Sequence, residues 1–163
     1  KLLLVSSGEI TVYGTDFSFD VREGDAVIAP TDVPVGVRTS GGAVYTEITT
    51  ERGSYMNKAV KIGEAFKLAS LVPYQEGKIV NMDVAHNDKM KFVIMAFDAG
   101  TGLSEHAAPG EAIVFALDGE AVIGYEGVMH KVKAGECFSF AKGGKHFVKA
   151  TGRFKMALLL TLE

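Results

Sequence analysis

The chain has no tryptophan, a single cysteine and only four prolines among its 163 residues. With one cysteine, Cys137, no disulfide can form within the chain, and we expect a small buried side chain there. The formal net charge of −3 lacks the basic excess of a nucleic-acid-binding surface. No apolar run approaches the ~18 residues that a membrane span requires. The composition therefore predicts neither a nucleic-acid partner nor a membrane partner.

Glycine, in contrast, is abundant, with 19 residues. Glycine-containing turns separate short segments with the patterns of β-strands. FSFDV at 17–21 alternates between apolar and polar residues, and KFVIMAFD at 91–98 is apolar on both faces. Many short strands at regular spacing predict an all-β sandwich or barrel.

The two ends of the chain also resemble each other. A shift of 111 residues aligns them without a gap, and it matches Gly8, Glu9, Val21, Gly24, Val37 and Gly41 with Gly119, Glu120, Val132, Gly135, Val148 and Gly152. Six matches in one register predict a repeated structural unit. Because Lys1 aligns with Ala112, we expect the first copy to lack the counterpart of residues 76–111.

Two segments of the second copy resemble the signature motifs of the cupin superfamily. GTGLSEHAAPGEAIVFALDG at 100–119 places His106 at the spacing of the first motif. GECFSFAKGGKHFVKA at 135–150 places His146 at the spacing of the second. The resemblance implies a double-stranded β-helix, the RmlC-like jelly roll, with two tandem units as in bicupins with cupin 2-type barrels.

The repeat and the resemblance together divide the chain into three parts. We expect residues 1–50 to be the C-terminal part of a first cupin barrel without its front strands. Residues 51–75 are expected to be a linker with a short helix that begins near Gly63 and ends before Pro73. Residues 76–163 are expected to be a complete second barrel.

The resemblance also implies a metal site of three histidines and one carboxylate inside the barrel, a set suited to Mn, Fe, Ni, Cu or Zn. Here only His106 and His146 occupy ligand positions, while Ala108 and Ala112 stand where the family has its second histidine and its glutamate. Two imidazoles alone bind a divalent ion weakly, so we expect a weak or absent metal site. The predicted pocket residues are His106, Ala108, Ala112, Val114, His146 and Val148.

A third ligand would have to come from a neighbouring carboxylate. Glu111 adjoins the vacant position, but strand alternation directs it to the opposite face unless a bulge rotates it inward. His86 and His130 are expected at the surface, outside the site. Phe115 and its apolar neighbours on the outer face predict that this face is covered, either by the other unit or in a homodimer.

Three functions remain open at this point. The first is an uncharacterised bicupin whose second barrel binds a small molecule. The second is a metal-dependent cupin enzyme, oxygenase-like or isomerase-like, for which no catalytic residue can be assigned. The third is a structural or regulatory module that acts through its outer sheet. An open, polar pocket mouth favours the first two, and a barrel filled by Phe and Met side chains favours the third. We expect a cytoplasmic location.

Overall fold

The computed structural model describes residues 1–50 and 53–162, and it confirms the prediction of an all-β protein. The described ranges contain no α-helix and a single 3₁₀ turn, Leu68–Ser70. The strands are β1 (Leu2–Tyr13), β2 (Ser18–Arg22), β3 (Asp25–Ile28), β4 (Gly36–Arg38), β5 (Ala43–Ile48), β6 (Tyr55–Met56), β7 (Ala65–Lys67), β8 (Ile79–His86), β9 (Met90–Phe97), β10 (Gly102–Ala107), β11 (Ala112–Tyr125), β12 (Val128–Lys133), β13 (Cys137–Phe140) and β14 (Lys145–Thr161).

The chain divides into two compact units. The first comprises Lys1–Gly53 and Asn57–Leu68, and the second comprises Ser54–Met56 and Ala69–Glu163. The segment expected to be a linker, 51–75, therefore contributes a strand to each unit: β7 to the first and β6 to the second. Residues 51 and 52 of that segment, and residue 163 of the expected second barrel, lie outside the described residues.

The short helix expected between Gly63 and Pro73 is reduced to the 3₁₀ turn. Residues Ala65–Lys67 instead form β7 and pair antiparallel with β3, with Phe66 opposite Ala26. The Lys67 Nζ also lies 2.9 Å from an Asp25 carboxylate oxygen, which holds the end of β7 to the start of β3. A short apolar run fits a helix and a strand equally well. Here the segment forms a strand because it pairs with the edge of β3.

In the second unit the described strands are ordered β12-β11-β14-β9-β8-β6, with β10 on β14 and β13 on β11. Strand β14 pairs with β11, β9 and β10, so it connects the parts of this sheet. The inward residues form an apolar core that includes the predicted inward series Ala112, Val114 and Ala116. Large side chains fill this core, among them Phe97, Phe154 and Met156.

The strand pairs of the first unit recur in the second unit 111 residues later. Glu9 pairs with Arg22 between β1 and β2, and Glu120 pairs with Lys133 between β11 and β12. The pairs of β1 with β3, β4 and β5 correspond in the same way to pairs of β11 with β13 and β14. Even the irregularity between residues 5 and 7 recurs between residues 116 and 118. The spacing found in the sequence is therefore also a spacing of hydrogen-bonded registers.

Strand β13 shows how alternation corrects one expectation. Cys137 is exposed, not buried, because Phe138 and Phe140 take the inward positions of this short strand. Its pairing partner Phe115 is half-buried, and Ile113 on the same outer face is 40% exposed. That this face is covered in a homodimer stays a prediction.

Among the described residues, no helix is long and apolar enough to cross a membrane.

Candidate functional site

Strands β10 and β14 bring His106 and His146 together. The two residues are direct partners in the antiparallel register, and their ring centroids lie 4.2 Å apart at an interplanar angle of 54°. His106 is exposed, whereas His146 is only 7% exposed. The pair therefore has one imidazole in contact with solvent and one buried behind it.

Each ring is hydrogen-bonded to a backbone carbonyl two residues before it in the chain. The His106 Nδ1 lies 2.9 Å from the Ser104 carbonyl oxygen, and the His146 Nδ1 lies 3.1 Å from the Gly144 carbonyl oxygen. A carbonyl oxygen only accepts hydrogen bonds, so each Nδ1 must carry the hydrogen. In the neutral imidazole this leaves Nε2 with the lone pair. The site thus presents two acceptor nitrogens.

Burial keeps the inner imidazole uncharged. Desolvation lowers the pKa of His146 below its usual value, and a positive charge on His106 lowers it further. The hydrogen bond to the Gly144 carbonyl raises the pKa but is weaker than desolvation. At neutral pH His146 is therefore a hydrogen-bond acceptor, and the pair does not carry two charges.

Aromatic rings form the wall next to the buried histidine. Phe140 stacks on His146 with centroids 4.0 Å apart and planes 25° apart. Tyr125 meets Phe140 edge-on at 5.6 Å, and its hydroxyl oxygen accepts a hydrogen bond from the Ala141 backbone N–H at 3.3 Å. Tyr125 also stands opposite His146 in the pairing of β11 with β14. Phe140 thus covers one face of the buried imidazole, and Tyr125 packs against Phe140.

The row of rings continues to a third histidine that sequence reasoning placed at the surface. Phe138 lies 5.2 Å from Phe140, and His130 lies 4.9 Å from Phe138. His130 is half-buried and pairs with Ile123, which is fully buried in the core. Alternation could have revealed this, because Val132, two residues further along β12, is also a core residue. We call the rings of His106, His146, Phe140, Tyr125, Phe138 and His130 the aromatic row.

The remaining predicted pocket residues lie in the apolar core of the same unit. Each is at most 5% exposed and none carries a polar side chain: Ala108, Ala112, Val114 and Val148. The polar part of the predicted pocket is thus confined to the two histidines. Below them the barrel interior is occupied by hydrophobic side chains.

The donor set does not fit the metal site that the resemblance implied. Within the part of the chain that the structure describes, no three His, Cys, Asp or Glu side chains converge on a point that could hold an ion. Glu111 is exposed, and its backbone N–H and carbonyl are hydrogen-bonded to Thr161. The bulge that would have turned it inward is not seen, because Ala112 takes the inward position next to it. Glu111 therefore does not complete a ligand set with His106 and His146.

A family model described as a cupin domain, Cupin 2, matches residues 93–162. A cupin 2 conserved barrel domain protein from Leptotrichia buccalis is 26% identical over 98% of this chain and 72% of its own, with a TM-score of 0.73. The fold is a cupin fold. Both findings support placing the chain in the cupin superfamily, and the RmlC-like jelly roll expected from the sequence is confirmed.

Two further cupin-fold comparisons agree with this. A cupin superfamily protein from Desulfitobacterium hafniense is 26% identical over 59% of this chain and 88% of its own, with a TM-score of 0.57. A conserved protein of unknown function from Streptococcus pyogenes shares the fold at 21% identity, covering 69% of this chain and 98% of its own with a TM-score of 0.64. No curated protein matches the chain. The comparisons thus show a cupin fold, and a fold alone does not identify a reaction.

Proposed function

We propose that the second unit is a small-molecule-binding cupin barrel whose ligand contacts His106 and His146 without a tightly bound metal. One observation carries the proposal. The centroids of the two imidazoles are 4.2 Å apart, and each Nδ1 is hydrogen-bonded to the carbonyl two residues before it in the chain. Two acceptor nitrogens are thereby held next to each other at the edge of an apolar core.

The residues around the two histidines restrict the class of ligand that fits. Phe140 and Tyr125 supply apolar surface beside the buried imidazole. A suitable ligand therefore has an apolar body and at least one hydrogen-bond donor that reaches an Nε2 atom. A donor on the ligand would pair with the acceptor nitrogen of the largely buried His146, and its apolar body would cover the neighbouring rings.

A tandem architecture is part of the proposal. It is supported by the recurrence of the strand registers after 111 residues and by the match of the Leptotrichia structure to 98% of the chain. In the first unit Val35 stands at the position of His146, and a valine can neither accept a hydrogen bond nor bind a metal. We therefore assign ligand binding to the second unit. A homodimer through the outer sheet faces and a cytoplasmic location stay predictions.

Nuclear magnetic resonance of the imidazole nitrogens tests the site directly. In the free protein, long-range ¹H–¹⁵N spectra are expected to report an Nδ1–H tautomer for His106 and His146. A panel of small alcohols, amides and carboxylic acids is then titrated, and we expect at least one compound to shift both Nε2 resonances saturably. His106→Ala should weaken that binding, and the neighbouring exposed Glu105→Ala should not. Equal shifts in both variants, or no saturable shift, would contradict the proposal.

A metal titration separates the proposal from the enzyme alternative. Tag-free protein is analysed for bound elements and then titrated with Zn²⁺. Two imidazoles without a carboxylate are expected to bind the ion weakly, with less than stoichiometric metal after purification. Near-stoichiometric metal that disappears in His106→Ala would favour a metal-dependent cupin enzyme instead.

A structural or regulatory module is the second candidate function, because Phe97, Phe154 and Met156 fill the barrel interior. A filled interior leaves ligand binding to the aromatic row near the exposed His106. If neither His106→Ala nor His146→Ala changes ligand binding, the result favours the structural or regulatory module. Binding of a partner to the outer sheet is then the next measurement.

A further inference from the structure

We propose that the ligand site of the second unit extends along the aromatic row to His130, and that it takes a flat aromatic or conjugated molecule with a polar group at each end. This inference rests on the proposed function and specifies its ligand class. It joins three observations: the continuity of the rings, their accessibility, and the position of imidazoles at both ends.

The rings are continuous from one histidine to the other. His146 stacks on Phe140 at 4.0 Å, Phe140 meets Phe138 at 5.2 Å, and Phe138 meets His130 at 4.9 Å. The side chains come from β14, β13 and β12, so three separate strands supply them. The row is therefore built by the pairing of the sheet, and it does not depend on one local turn.

The row is accessible along part of its length. Phe140 is buried and serves as a support, whereas Phe138, Tyr125 and His130 are half-buried and His106 is exposed. Half-buried aromatic rings present a face or an edge to a bound molecule. Because ring pairs gain from offset-stacked and edge-to-face contacts, a flat unsaturated ligand matches this surface better than a puckered saturated one.

Polar groups are found at the two ends of the row. His130 faces inward, as its pairing with the buried Ile123 indicates, while the adjacent Met129 is 64% exposed on the other face of β12. His146 and His106 form the opposite end. Between the ends lie two phenylalanines and Tyr125, whose hydroxyl accepts the Ala141 N–H, so hydrogen bonds are available at the ends of the row and stacking in its middle.

Three probes of similar size test this ligand class with the full chain. Hydroquinone is flat and has a hydroxyl donor at both ends, phenol is flat with a donor at one end, and trans-1,4-cyclohexanediol has a donor at both ends but is saturated. The longer 2,6-dihydroxynaphthalene allows for the length of the row. Binding is followed by the imidazole resonances of His106, His130 and His146. We expect the two flat, two-ended probes to bind about tenfold more tightly than the other two.

His130→Phe is the decisive variant, because it keeps a ring of similar size and removes only the nitrogens. It should weaken the two-ended flat probes by about tenfold and leave phenol unchanged. Met129→Ala, on the outward face, is the matched control and should change neither. Unchanged far-ultraviolet circular dichroism of both variants verifies that they fold.

The outcomes separate this inference from the proposed function. If the saturated probe binds as well as hydroquinone, or if His130→Phe has no effect while His106→Ala does, the extension to His130 is wrong and the proposed function stands. If no compound of either panel binds at millimolar concentration, both are wrong.

Discussion

Phe140 provides the sharpest test of how the second unit supports its buried histidine. It is 3% exposed and contacts the rings of His146, Tyr125 and Phe138. Phe140→Leu removes part of the buried apolar surface, which stabilises the fold by about 0.8 kcal/mol per methylene equivalent. It also removes ring–ring contacts, which contribute about 0.5–1.5 kcal/mol. We expect the free energy of unfolding to fall by about 2–3 kcal/mol. With a urea slope of about 2 kcal/mol/M, the midpoint should decrease by about 1 M.

The same substitution should change the acid–base chemistry of the site. Desolvation is the main cause of the lowered pKa of His146, and Phe140 covers one face of its ring. In Phe140→Leu, water gains access to the imidazole, so we expect the pKa of His146 to rise towards its ordinary value. The titration of the imidazole protons by nuclear magnetic resonance measures this shift.

Phe154→Leu is the control for this experiment. Phe154 is fully buried in the same apolar core and contacts Phe97, so its replacement should cause a similar loss of stability. The pKa of His146 should stay unchanged in this variant. If both variants raise that pKa equally, or if neither does, Phe140 is not what shields the imidazole and the reasoning is refuted.

Two further predictions concern the same unit. The pKa of His146 is lower in the folded than in the unfolded chain. The free energy of unfolding should therefore be full above pH ~6.5 and should fall as the pH decreases from there towards the folded-state pKa. His146→Phe should flatten this part of a plot of urea midpoint against pH, and an unchanged plot would exclude His146 as the cause. Gly119→Ala should lower the free energy of unfolding by more than ~1 kcal/mol, since Gly119 has a φ of 69° and an added Cβ would collide with the Arg153 carbonyl oxygen. Gly152→Ala, where an added Cβ meets no atom within 4 Å, is its control, and equal urea midpoints for the two variants would contradict the steric argument.

The fold was predictable because its main signals are local and periodic. Alternation correctly assigned Ala112 and Val114 to the interior of β11, and the 111-residue spacing reappears as hydrogen-bonded registers. The spacing of His106 and His146 put both on strands that the structure pairs directly. Each of these inferences needed only one strand or one repeat.

Features that depend on which strands become neighbours were not predictable in the same way. Phe138, Phe140 and His130 come from strands β12 and β13, and the row that they form next to His146 follows from the sheet order. Residues Ala65–Lys67 became a strand only because β3 offers an edge for pairing. Neither outcome can be read from the periodicity of one segment.

The outward position of Cys137 makes the second unit easy to observe. It is the only cysteine in the sequence, it is exposed, and the next residue, Phe138, belongs to the aromatic row on the opposite face of β13. A fluorophore or spin label attached to its sulfur would report from outside the barrel on events one residue away inside it. Partial burial raises the pKa of the thiol, so labelling should proceed faster in mildly alkaline buffer, where the thiolate forms. The chain thus carries a single, natural attachment point beside the rings at which we expect a ligand to bind.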